Sequence, residues 1–378
     1  MRIGIPKEAQ SEEPRVPVVP QTVKKLVDLG AEVAVEAGMG TPSGFSDDEY
    51  GQAGASIVAD RRELLSSADI VLRLNKPPSE EVSILKRGCI HVSFLDPFNS
   101  RALVEALAGQ GVLTVSMEMI PRTTKAQKMD ALSSQANLGG YVAVILAAER
   151  LDSIFPMMIT PAGTLSPARV FVIGAGVAGL QAVATAKRLG ARVEAFDTRP
   201  VVAEQVRSLG ARFLEIDLGE TGETADGYAK QLTEEQLEKQ RLAMAKACAQ
   251  SDVVITTAQV FGRKAPLIVT DEMVRDMKRG SVIVDMAVES GGNVAGSKPG
   301  EEVMAGGVRI MGLRNLPGRV PRHASHMYSS NLANFLEEFW DAETKTLALD
   351  PRDEIIRGCL LTRDGEVCNE RLKEVYAS

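Results

Sequence analysis

The sequence predicts an α/β fold with two parallel sheets in two domains. The chain has 378 residues, more than one compact core usually holds. Short apolar runs alternate with helical patterns in two separate stretches, which is typical of parallel strands joined by crossover helices. A long segment rich in alanine and leucine, without proline, separates the two stretches. These three observations favour two α/β domains joined by a helix.

The first stretch predicts five strands with helices between them. Its predicted strands are Arg2–Ile5, Glu32–Glu36, Ile70–Leu74, Cys89–Phe94 and Leu113–Ser116. Its predicted helices are Pro20–Leu29, Asp47–Gly54, Glu80–Leu85 and Ser100–Gly109. Gly30 follows the first helix at a position where glycine favours termination. Helices of this length between apolar strands indicate parallel pairing.

One long helix is predicted between the two stretches, from Asp130 to Leu151. The segment is rich in helix-forming residues, although Gly139 and Gly140 interrupt it. Glycines inside a helix are tolerated where the helix packs closely on a neighbour. We therefore interpret this helix as the connection between two domains.

The second stretch predicts a sheet of about six strands. Its predicted strands are Arg169–Ile173, Arg192–Phe196, Arg212–Ile216, Val253–Thr256, Val282–Asp285 and Arg309–Met311. Its predicted helices are Gly179–Leu189, Val202–Leu209, Thr233–Ala249 and Ser329–Trp340. Thr233 is the expected N-cap of its helix, and Gln236 completes a capping box. The last helix would return the chain to the first domain, which then comprises residues 1–130 and 325–378, while the second comprises residues 131–324.

Composition excludes several classes of protein. The apolar fraction is 44% and the charged fraction 25%, as expected for a globular chain with a sizeable core. The 50 acidic and 43 basic residues give a net charge of -7, and no block of lysine and arginine is present. These features argue against nucleic-acid binding, which needs a clustered basic face. An aromatic fraction of 4% also argues against stacking platforms for single strands.

Cysteine and histidine are too scattered to predict a disulfide framework or a metal site. The 4 cysteines contain no CxxC pair, which favours reduced thiols in a cytosolic protein. The 3 histidines would have to meet from distant segments to bind zinc, so no metal is predicted. The start of the chain does not have the pattern of a signal peptide. The longest apolar stretch, Leu138–Ala148, is about half of the ~20 residues that a spanning helix needs, so no membrane segment is predicted.

A glycine-rich turn is the sharpest motif, with the sequence Gly174-Ala175-Gly176-Val177-Ala-Gly179. It follows a predicted strand and opens a predicted helix, as in a Rossmann-like domain. Gly174 would permit a tight turn, Gly176 would let the backbone approach a pyrophosphate, and Gly179 would let helix and strand pack closely. The start of the helix offers unpaired N–H groups and the positive end of its dipole to phosphates. The alternative is a glycine-rich turn that binds nothing.

An acidic residue supports dinucleotide binding at this turn. Asp197 closes the second predicted strand, about 20 residues beyond Gly179, which is the spacing of a ribose-binding acid. Its carboxylate would accept both adenosine ribose hydroxyls and repel a 2′-phosphate, so NAD is preferred over NADP. Arg199 weakens this preference because it could pair with a phosphate. Asp197, Thr198 and Arg199 are therefore predicted cofactor-binding residues, together with the turn.

The sequence also resembles a known family. The glycine motif, the opening Arg2-Ile-Gly-Ile-Pro-Lys-Glu8 and the segment Arg15-Val-Pro-Val-Val-Pro20 resemble the alanine dehydrogenase and transhydrogenase superfamily. The segment Met119–Asn137 contains the more specific pattern Pro-Arg-x4-Gln-x2-Asp and resembles the soluble NAD(H)-binding alpha-1 subunit of proton-translocating NAD(P) transhydrogenases. The resemblance covers essentially the whole chain, through Gly291-Gly-Asn293 and Leu360-Leu-Thr-Arg-Asp-Gly365.

The resemblance implies a second group of site residues. In the family, the loop that carries Arg122, Gln127 and Asp130 lies in a cleft between two domains, at the nicotinamide end. Arg122 and Asp130 would hold the carboxamide with the help of Ser133, and Gln127 would reach the nicotinamide ribose and help to dock a partner. Such donors and acceptors can fix the rotation of a carboxamide and select which ring face is exposed. The alternative is an ordinary surface turn in which Asp130 caps the long helix.

A candidate lid follows the predicted strand Arg212–Ile216. The polar stretch Glu220–Ala229 contains Tyr228 and resembles the mobile loop that closes over nucleotide in the family. Gly222 and Gly227 would provide hinge freedom, and the tyrosine would shield the nucleotide from water. The alternative is a surface loop with an incidental tyrosine.

Alanine dehydrogenases are the rival within the superfamily. They must move a proton as well as a hydride, and use a lysine and a histidine of the first domain for that purpose. The matching positions here hold Asn75 and Asp96, although the carboxylate binder Arg15 is present. Lys76 and His91 lie close in sequence, so a shifted alignment is the main alternative.

Hydride transfer between two nicotinamide rings needs no general base. The resemblance therefore implies a homodimeric NAD(H)-binding subunit, on the cytoplasmic face of the membrane, that exchanges hydride by the Si-type reaction. NADP(H) would bind a beta subunit, because only one glycine fingerprint is present, and a membrane subunit would move protons. An alanine dehydrogenase-like oxidoreductase and a non-catalytic NAD sensor are the alternative functions.

Overall fold

A computed structural model describes residues 1–216 and 233–377 of the chain. The chain divides into two compact units. The first comprises residues 1–135 and 318–378, and the second comprises residues 136–317. The first unit is therefore discontinuous, with the second unit inserted into it.

The amino-terminal part of the first unit alternates strands with helices, largely as predicted. Its strands are β1 (Arg2–Ile5), β2 (Glu32–Glu36), β3 (Ser56–Val58), β4 (Ile70–Leu72), β5 (Ile90–Ser93) and β6 (Leu113–Ser116). Its helices are α1 (Pro20–Asp28), α2 (Asp47–Gln52), α3 (Arg61–Ser67) and α4 (Arg101–Gln110). Strand β3 and helix α3 were not predicted, because β3 is a short and largely exposed strand at the sheet edge. The predicted helix Glu80–Leu85 is a 3₁₀ helix over Ser79–Ile84.

The long connecting helix is confirmed as α5 (Ala131–Arg150). A Cβ atom on Gly140 would lie only 2.2 Å from the Ala178 carbonyl oxygen, so the expected close approach explains this glycine. Among the helices of the described residues, α5 alone is long and apolar enough to span a membrane, by length and composition. Half of its most apolar window is buried within the protein, as in the core helices of soluble proteins, so this is weak evidence for a membrane span.

The second unit contains the other large sheet. Its strands are β7 (Met158–Thr160), β8 (Gly163–Leu165), β9 (Arg169–Ile173), β10 (Arg192–Phe196), β11 (Arg212–Phe213), β12 (Val253–Thr256), β13 (Val282–Asp285), β14 (Glu301–Ala305) and β15 (Val308–Gly312). Its helices are α6 (Val177–Arg188), α7 (Val202–Ser208), α8 (Glu234–Gln250) and α9 (Asp271–Asp276). The capping box of Thr233 and Gln236 at the start of α8 is confirmed.

Within residues 136–216 and 233–317, seven strands pair in the order β11-β10-β9-β12-β13-β15-β14. All are parallel to their neighbours except β14, which pairs antiparallel with β15 at the edge. Strand β14 was missed because it begins with two glutamates and is only partly buried. Its neighbours bury apolar side chains into one core, including Phe171, Val254 and Ile283. The parallel ladder brings the carboxyl ends of β9, β10 and β12 to one edge of this sheet.

The carboxy-terminal residues complete the first unit. Their elements are α10 (Pro321–Phe339), β16 (Trp340–Asp341), β17 (Thr346–Leu347), α11 (Glu354–Cys359), β18 (Leu360–Arg363), β19 (Glu366–Val367) and α12 (Glu370–Ala377). Helix α10 begins eight residues before the predicted Ser329, at Pro321, a residue favoured in the first helical turn. Among residues 1–135 and 318–377, eight strands pair in the order β19-β18-β6-β5-β4-β1-β2-β3, with β18 and β19 antiparallel. The predicted α/β class with two parallel-rich sheets is confirmed, and each sheet has an antiparallel edge.

Candidate functional site

The glycine turn joins the end of β9 to the start of α6. Gly174 has a φ of +93°, a backbone conformation that favours glycine. Its N–H donates to the Phe196 carbonyl at 2.8 Å, and its carbonyl accepts from the Thr257 hydroxyl at 3.0 Å. A Cβ atom on Gly174 would lie 2.6 Å from that hydroxyl oxygen. The first glycine is therefore required by the turn itself.

Gly179 and Gly176 are glycines for different reasons. A Cβ atom on Gly179 would lie 1.9 Å from the Gly174 carbonyl oxygen, so the helix could not approach the turn with any other residue. Gly176 is the N-cap of α6, and the nearest described atom to its Cβ would be Arg199 Nη2 at 3.9 Å. Packing within the described residues does not require a glycine at position 176. The open space fits the approach of a pyrophosphate to the start of α6.

The residues between these glycines have distinct positions. Ala175 is buried, and its N–H donates to Asp197 Oδ2 at 2.8 Å, so this amide is engaged within the turn. Val177 is 40% exposed and is the first residue of α6. The first intrahelical bond runs from Leu180 N to the Gly176 carbonyl. N–H groups before it in the helix have no intrahelical acceptor and are available to an anion.

Asp197 follows β10 directly and reaches back to the glycine turn. Its Oδ2 accepts from Ala175 N and from Arg199 Nη2, at 2.8 and 2.9 Å. Its Oδ1 accepts from Arg199 N and Nε, both at 2.9 Å. The structure thus brings Asp197, Thr198 and Arg199 to the turn, as the predicted site requires, but the carboxylate is held by Arg199.

A second loop beside the turn depends on two buried polar residues that sequence reasoning did not assign to the site. Asn293 donates from Nδ2 to the carbonyls of Ala258 and Pro266, at 2.9 and 2.8 Å, and its Oδ1 accepts from Ala258 N at 3.1 Å. Asp285, also fully buried, accepts from Asn293 N. Asn293 therefore clamps both ends of the loop that begins with Thr257, the residue bonded to Gly174. The Gly291-Gly-Asn293 motif was the available signal.

The first unit contains the other predicted group, in the Arg122–Ser133 segment. Arg122 and Gln127 are exposed, whereas Ala126 and Met129 are buried and anchor the segment. Asp130 accepts from the Ser133 N–H at 2.8 Å and from the Ser133 hydroxyl at 2.5 Å. The capping alternative is therefore present in the structure.

Capping leaves the pair able to bind a ligand. The Ser133 hydroxyl donates its proton to the hydrogen bond with Asp130, so both side chains present oxygen lone pairs rather than donors. Capping and carboxamide binding are compatible because a carboxylate accepts more than two hydrogen bonds.

Helix α10 holds this segment from a distant region of the sequence. Asn331 and Asn334 both donate from Nδ2 to the Lys128 carbonyl, at 3.0 and 2.8 Å. Lys125 and Lys128 contact opposite oxygens of Glu338, at 3.0 and 2.8 Å. We call the two asparagines the amide latch. Sequence reasoning missed it, since nothing local to either segment indicates the pairing.

The residues that matched the alanine dehydrogenase positions are also in the first unit. Arg15 is buried and donates from Nε and Nη2 to Glu13, at 2.8 and 2.7 Å, and from Nη1 to Gln135 at 2.9 Å. Asn75 donates from Nδ2 to Glu13 Oε2 at 3.1 Å. The bonds from Arg15 and Asn75 hold the pKa of Glu13 below its ordinary value, against the opposing effect of burial. The carboxylate binder Arg15 is thus paired internally.

Lys76 and His91 do not replace the missing acid–base pair. Lys76 donates to Ser100 Oγ at 2.8 Å and lies 3.7 Å from Asp96 Oδ2, so its ammonium is bound at the surface. His91 is fully buried, with Nε2 3.0 Å from Ser93 Oγ. Burial, aided by the nearby Arg73 cation, lowers the pKa of His91 to about 3. A buried histidine that is neutral at pH 7 and out of contact with solvent is unsuited to exchange protons with a substrate.

Other predicted features are less informative. Tyr228 and most of the predicted lid lie outside the described residues. Among residues 1–216 and 233–377, no group of three or more His, Cys, Asp or Glu side chains is arranged to hold a metal ion. Cys89 and Cys248 are buried, and burial raises the pKa of each thiol to about 12.

Comparison with known proteins connects these two groups of residues. The family model for the alanine dehydrogenase/PNT amino-terminal domain matches residues 4–139, and the model for the carboxy-terminal domain matches residues 143–370. The first of the alpha-subunit chains of the Rhodospirillum rubrum NAD(P) transhydrogenase is 47% identical over 98% of this chain and 99% of its own length. Alanine dehydrogenase of Bacillus subtilis is 31% identical over 85% of this chain and 81% of its own length.

A solved structure agrees with these sequence matches. The crystal structure of transhydrogenase from Sinorhizobium meliloti is 44% identical, with a TM-score of 0.88, over 97% of this chain and 100% of that chain. The glycine turn, Asp197 and the Arg122–Ser133 segment thus lie in a chain with relatives on both branches, and identity is higher to the transhydrogenases. The chain belongs to the alanine dehydrogenase/PNT family, and its resemblance to the transhydrogenase alpha branch is confirmed.

Proposed function

We propose that this chain is the NAD(H)-binding subunit of a proton-translocating NAD(P) transhydrogenase. It would exchange hydride, in the Si-type reaction, between NADH and NADP⁺ bound on a beta subunit. A membrane subunit would couple this exchange to proton movement. The similarity to transhydrogenase alpha subunits supports this assignment. We further propose a homodimer at the cytoplasmic face of the membrane, associated through its partner subunits.

The second unit is suited to hold the dinucleotide. The open space over Gly176 and the unpaired N–H groups at the start of α6 can receive the pyrophosphate. Asp197, beside them, can accept ribose hydroxyls once Arg199 gives way. Thr198 lies between these two residues and completes the proposed adenosine end of the site, which Tyr228 would cover.

The first unit is suited to orient the nicotinamide. The oxygens of Asp130 and Ser133 offer acceptors for a carboxamide NH₂, and the Arg122 guanidinium offers donors for its carbonyl oxygen. Gln127, exposed on the same segment, can contact the ribose or a docked partner. Holding the ring in one orientation contributes to the rate because hydride transfer depends on close and aligned carbons.

One observation favours transhydrogenation over amino-acid oxidation. The two positions that would transfer a proton in an alanine dehydrogenase hold Asn75 and Asp96. Asn75 is bound to Glu13, and Asp96 accepts from Asn99 at 2.8 Å. Hydride transfer between two nicotinamide rings moves no proton at the reacting carbons. A site without a general base fits that reaction and does not fit the oxidation of an amine.

The test is a mixing experiment with the purified chain. We expect the chain to bind NADH, and to drive NADH-dependent reduction of an NADP analogue only when an NADP-binding beta-subunit domain is added. Absorbance of the reduced analogue measures the rate. The chain alone should show negligible turnover with alanine and NAD, or with pyruvate, ammonia and NADH.

Each rival function gives a different result in this experiment. Robust NAD-dependent oxidation of alanine by the chain alone would refute the proposal and favour an alanine dehydrogenase. A nucleotide sensor would bind NADH and yet leave the mixture with the beta-subunit domain inert.

A further inference from the structure

Arg199 and Asp197 form a two-pronged ion pair at the carboxyl end of β10. Arg199 Nε donates to Asp197 Oδ1 and Nη2 donates to Oδ2, each at 2.9 Å. The two side chains are only 17% and 7% exposed, so the pair is protected from much of the screening that weakens surface ion pairs. Charge-assisted bonds in this parallel geometry are among the strong hydrogen bonds in proteins.

The carboxylate has little capacity left for a ribose. Its two oxygens also accept from the backbone N–H groups of Ala175 and Arg199, so each oxygen accepts two hydrogen bonds. A carboxylate offers about four acceptor positions. The two backbone bonds belong to the turn, whereas the bonds from the guanidinium come from a side chain that can rotate. Two ribose hydroxyls can therefore bind Asp197 only in exchange for the Arg199 side chain.

The guanidinium also lies where a phosphate would interact with it. Arg199 Nη2 is the nearest described atom to a Cβ built on Gly176, at 3.9 Å, so it stands beside the glycine expected to face the pyrophosphate. A guanidinium binds phosphate oxygens in the same bidentate manner as it binds a carboxylate. A 2′-phosphate on the adenosine ribose would consequently compete with Asp197 for Arg199.

We propose that the Asp197–Arg199 pair sets the nucleotide preference of this chain, and this inference rests on the proposed NAD(H)-binding function. NADH exchanges the guanidinium for two ribose hydroxyls on Asp197. NADPH would draw the guanidinium to its 2′-phosphate and leave Asp197 unpaired beside a second anion. Asp197 therefore excludes the 2′-phosphate in two ways, by repulsion and by retaining Arg199, while Arg199 makes the binding of NADH weaker than Asp197 alone would allow.

The experiment measures dissociation constants of the full-length chain for NADH and NADPH by nucleotide fluorescence. Four proteins complete a double-mutant cycle: wild type, Arg199→Ala, Asp197→Asn and the double variant. For Arg199→Ala we expect about threefold tighter NADH binding and about tenfold weaker NADPH binding, since no ion pair has to break and no cation meets the phosphate. For Asp197→Asn we expect about tenfold weaker NADH binding and about tenfold tighter NADPH binding. The double variant should lose the gain for NADPH.

Two further variants separate this effect from general charge and folding effects. Arg207→Ala removes an exposed arginine of the same unit, which pairs with Glu215 at the surface, and should leave the ratio of the two dissociation constants unchanged. Arg199→Lys keeps the charge but not the fork, so its ratio should fall between those of wild type and Arg199→Ala. Urea unfolding of each variant establishes that the second unit is intact.

Two results would overturn the inference. One is an Arg199→Ala protein whose NADPH-to-NADH ratio of dissociation constants stays within about twofold of wild type. The other is equal NADPH binding by Asp197→Asn and the double variant. Failure of wild type to bind NADH at all would instead contradict the proposed function.

Discussion

The glycine turn of the second unit and the Arg122–Ser133 segment of the first are held in place by different kinds of interaction. In the turn, backbone groups bond to backbone groups, and Gly174 and Gly179 permit contacts that a Cβ atom would block. In the Arg122–Ser133 segment, side chains of helix α10 hold a backbone carbonyl and two lysines. The turn is therefore fixed by residues within a few positions of it. The segment depends on residues about 200 positions later in the chain.

This difference explains why the two regions should respond differently to mutation and to pH. Backbone groups do not titrate, so the turn should be insensitive to acid and intolerant of any added side-chain atom. The first unit relies on buried polar and charged side chains, including Arg73, His91 and Glu118. Such groups carry a desolvation penalty that their partners must offset. The first unit should therefore be the more sensitive of the two to pH.

Replacing Gly179 by alanine is the severest test of the turn. The new Cβ atom would lie 1.9 Å from a backbone oxygen, so we expect a loss of about 3 kcal/mol or more in the free energy of unfolding. NADH binding should be lost with it. The matched control is Gly176→Ala, which meets no described atom closer than 3.9 Å. It should change stability by no more than about 0.5 kcal/mol, and yet weaken NADH binding about tenfold. Equal losses of stability in the two variants would contradict the comparison.

Acid should weaken the first unit through His91. The pKa of His91 is lowered to about 3 in the fold, below the value of about 6.5 in an unfolded chain. The folded state therefore binds fewer protons, and this contribution to stability is complete above about pH 6.5 and is lost as the pH falls toward 3. Between pH 7 and pH 5 we expect a loss of about 2 kcal/mol from this residue.

Chemical unfolding of wild type and His91→Gln at both pH values measures the effect. The variant should lose less stability than wild type between pH 7 and pH 5. Glu8 and Glu118, whose pKa values are raised by burial, contribute in the opposite direction and are present in both proteins, so the difference isolates His91. Parallel pH profiles in the two proteins would show that His91 is not buried in its neutral form.

The amide latch gives the smallest effect and tests the segment directly. Changing Asn331 and Asn334 to alanine removes both donors to the Lys128 carbonyl, each worth about 1 kcal/mol. We expect faster amide hydrogen exchange in residues 121–130 and hydride transfer to the beta-subunit domain slowed about tenfold, because orientation is lost rather than affinity. The dissociation constant for NADH should change by less than about threefold.

A comparison variant distinguishes the latch from the side chain that it positions. Gln127→Asn shortens one exposed side chain of the segment without touching the latch. It should slow hydride transfer far more than it weakens NADH binding, and leave amide exchange unchanged. Accelerated exchange in this variant, or unchanged exchange in the latch variant, would separate the segment from α10.

Features with a local cause could be predicted from the sequence. The strand, turn and helix around Gly174 follow from short-range spacing, and the capping box at Thr233 is contained in four residues. The interruption of α5 by Gly140 was also understandable as a close approach. In each case the residues that set the conformation are adjacent in sequence, so the pattern carries the information.

Features with a distant cause could not. The bond from Asn331 to the Lys128 carbonyl joins two helical regions whose own patterns are ordinary. The pairing of Arg199 with Asp197 is local, but the choice between that ion pair and a solvated arginine depends on burial, which spacing does not reveal. Strand β14 is stabilised by pairing with β15 rather than by an apolar pattern of its own. Tertiary context decided these cases.

The antiparallel closure of the first sheet has a consequence for biosynthesis. Strand β18 pairs with β6, and the Thr362 hydroxyl donates to Thr114 Oγ1 and to the Val112 carbonyl. The first unit thus cannot complete its sheet until the final stretch of the message has been translated. The second unit, continuous over residues 136–317, is able to fold while its host is still unfinished on the ribosome. Newly made chains would then acquire the nucleotide-binding turn before the opening residues find their final partner.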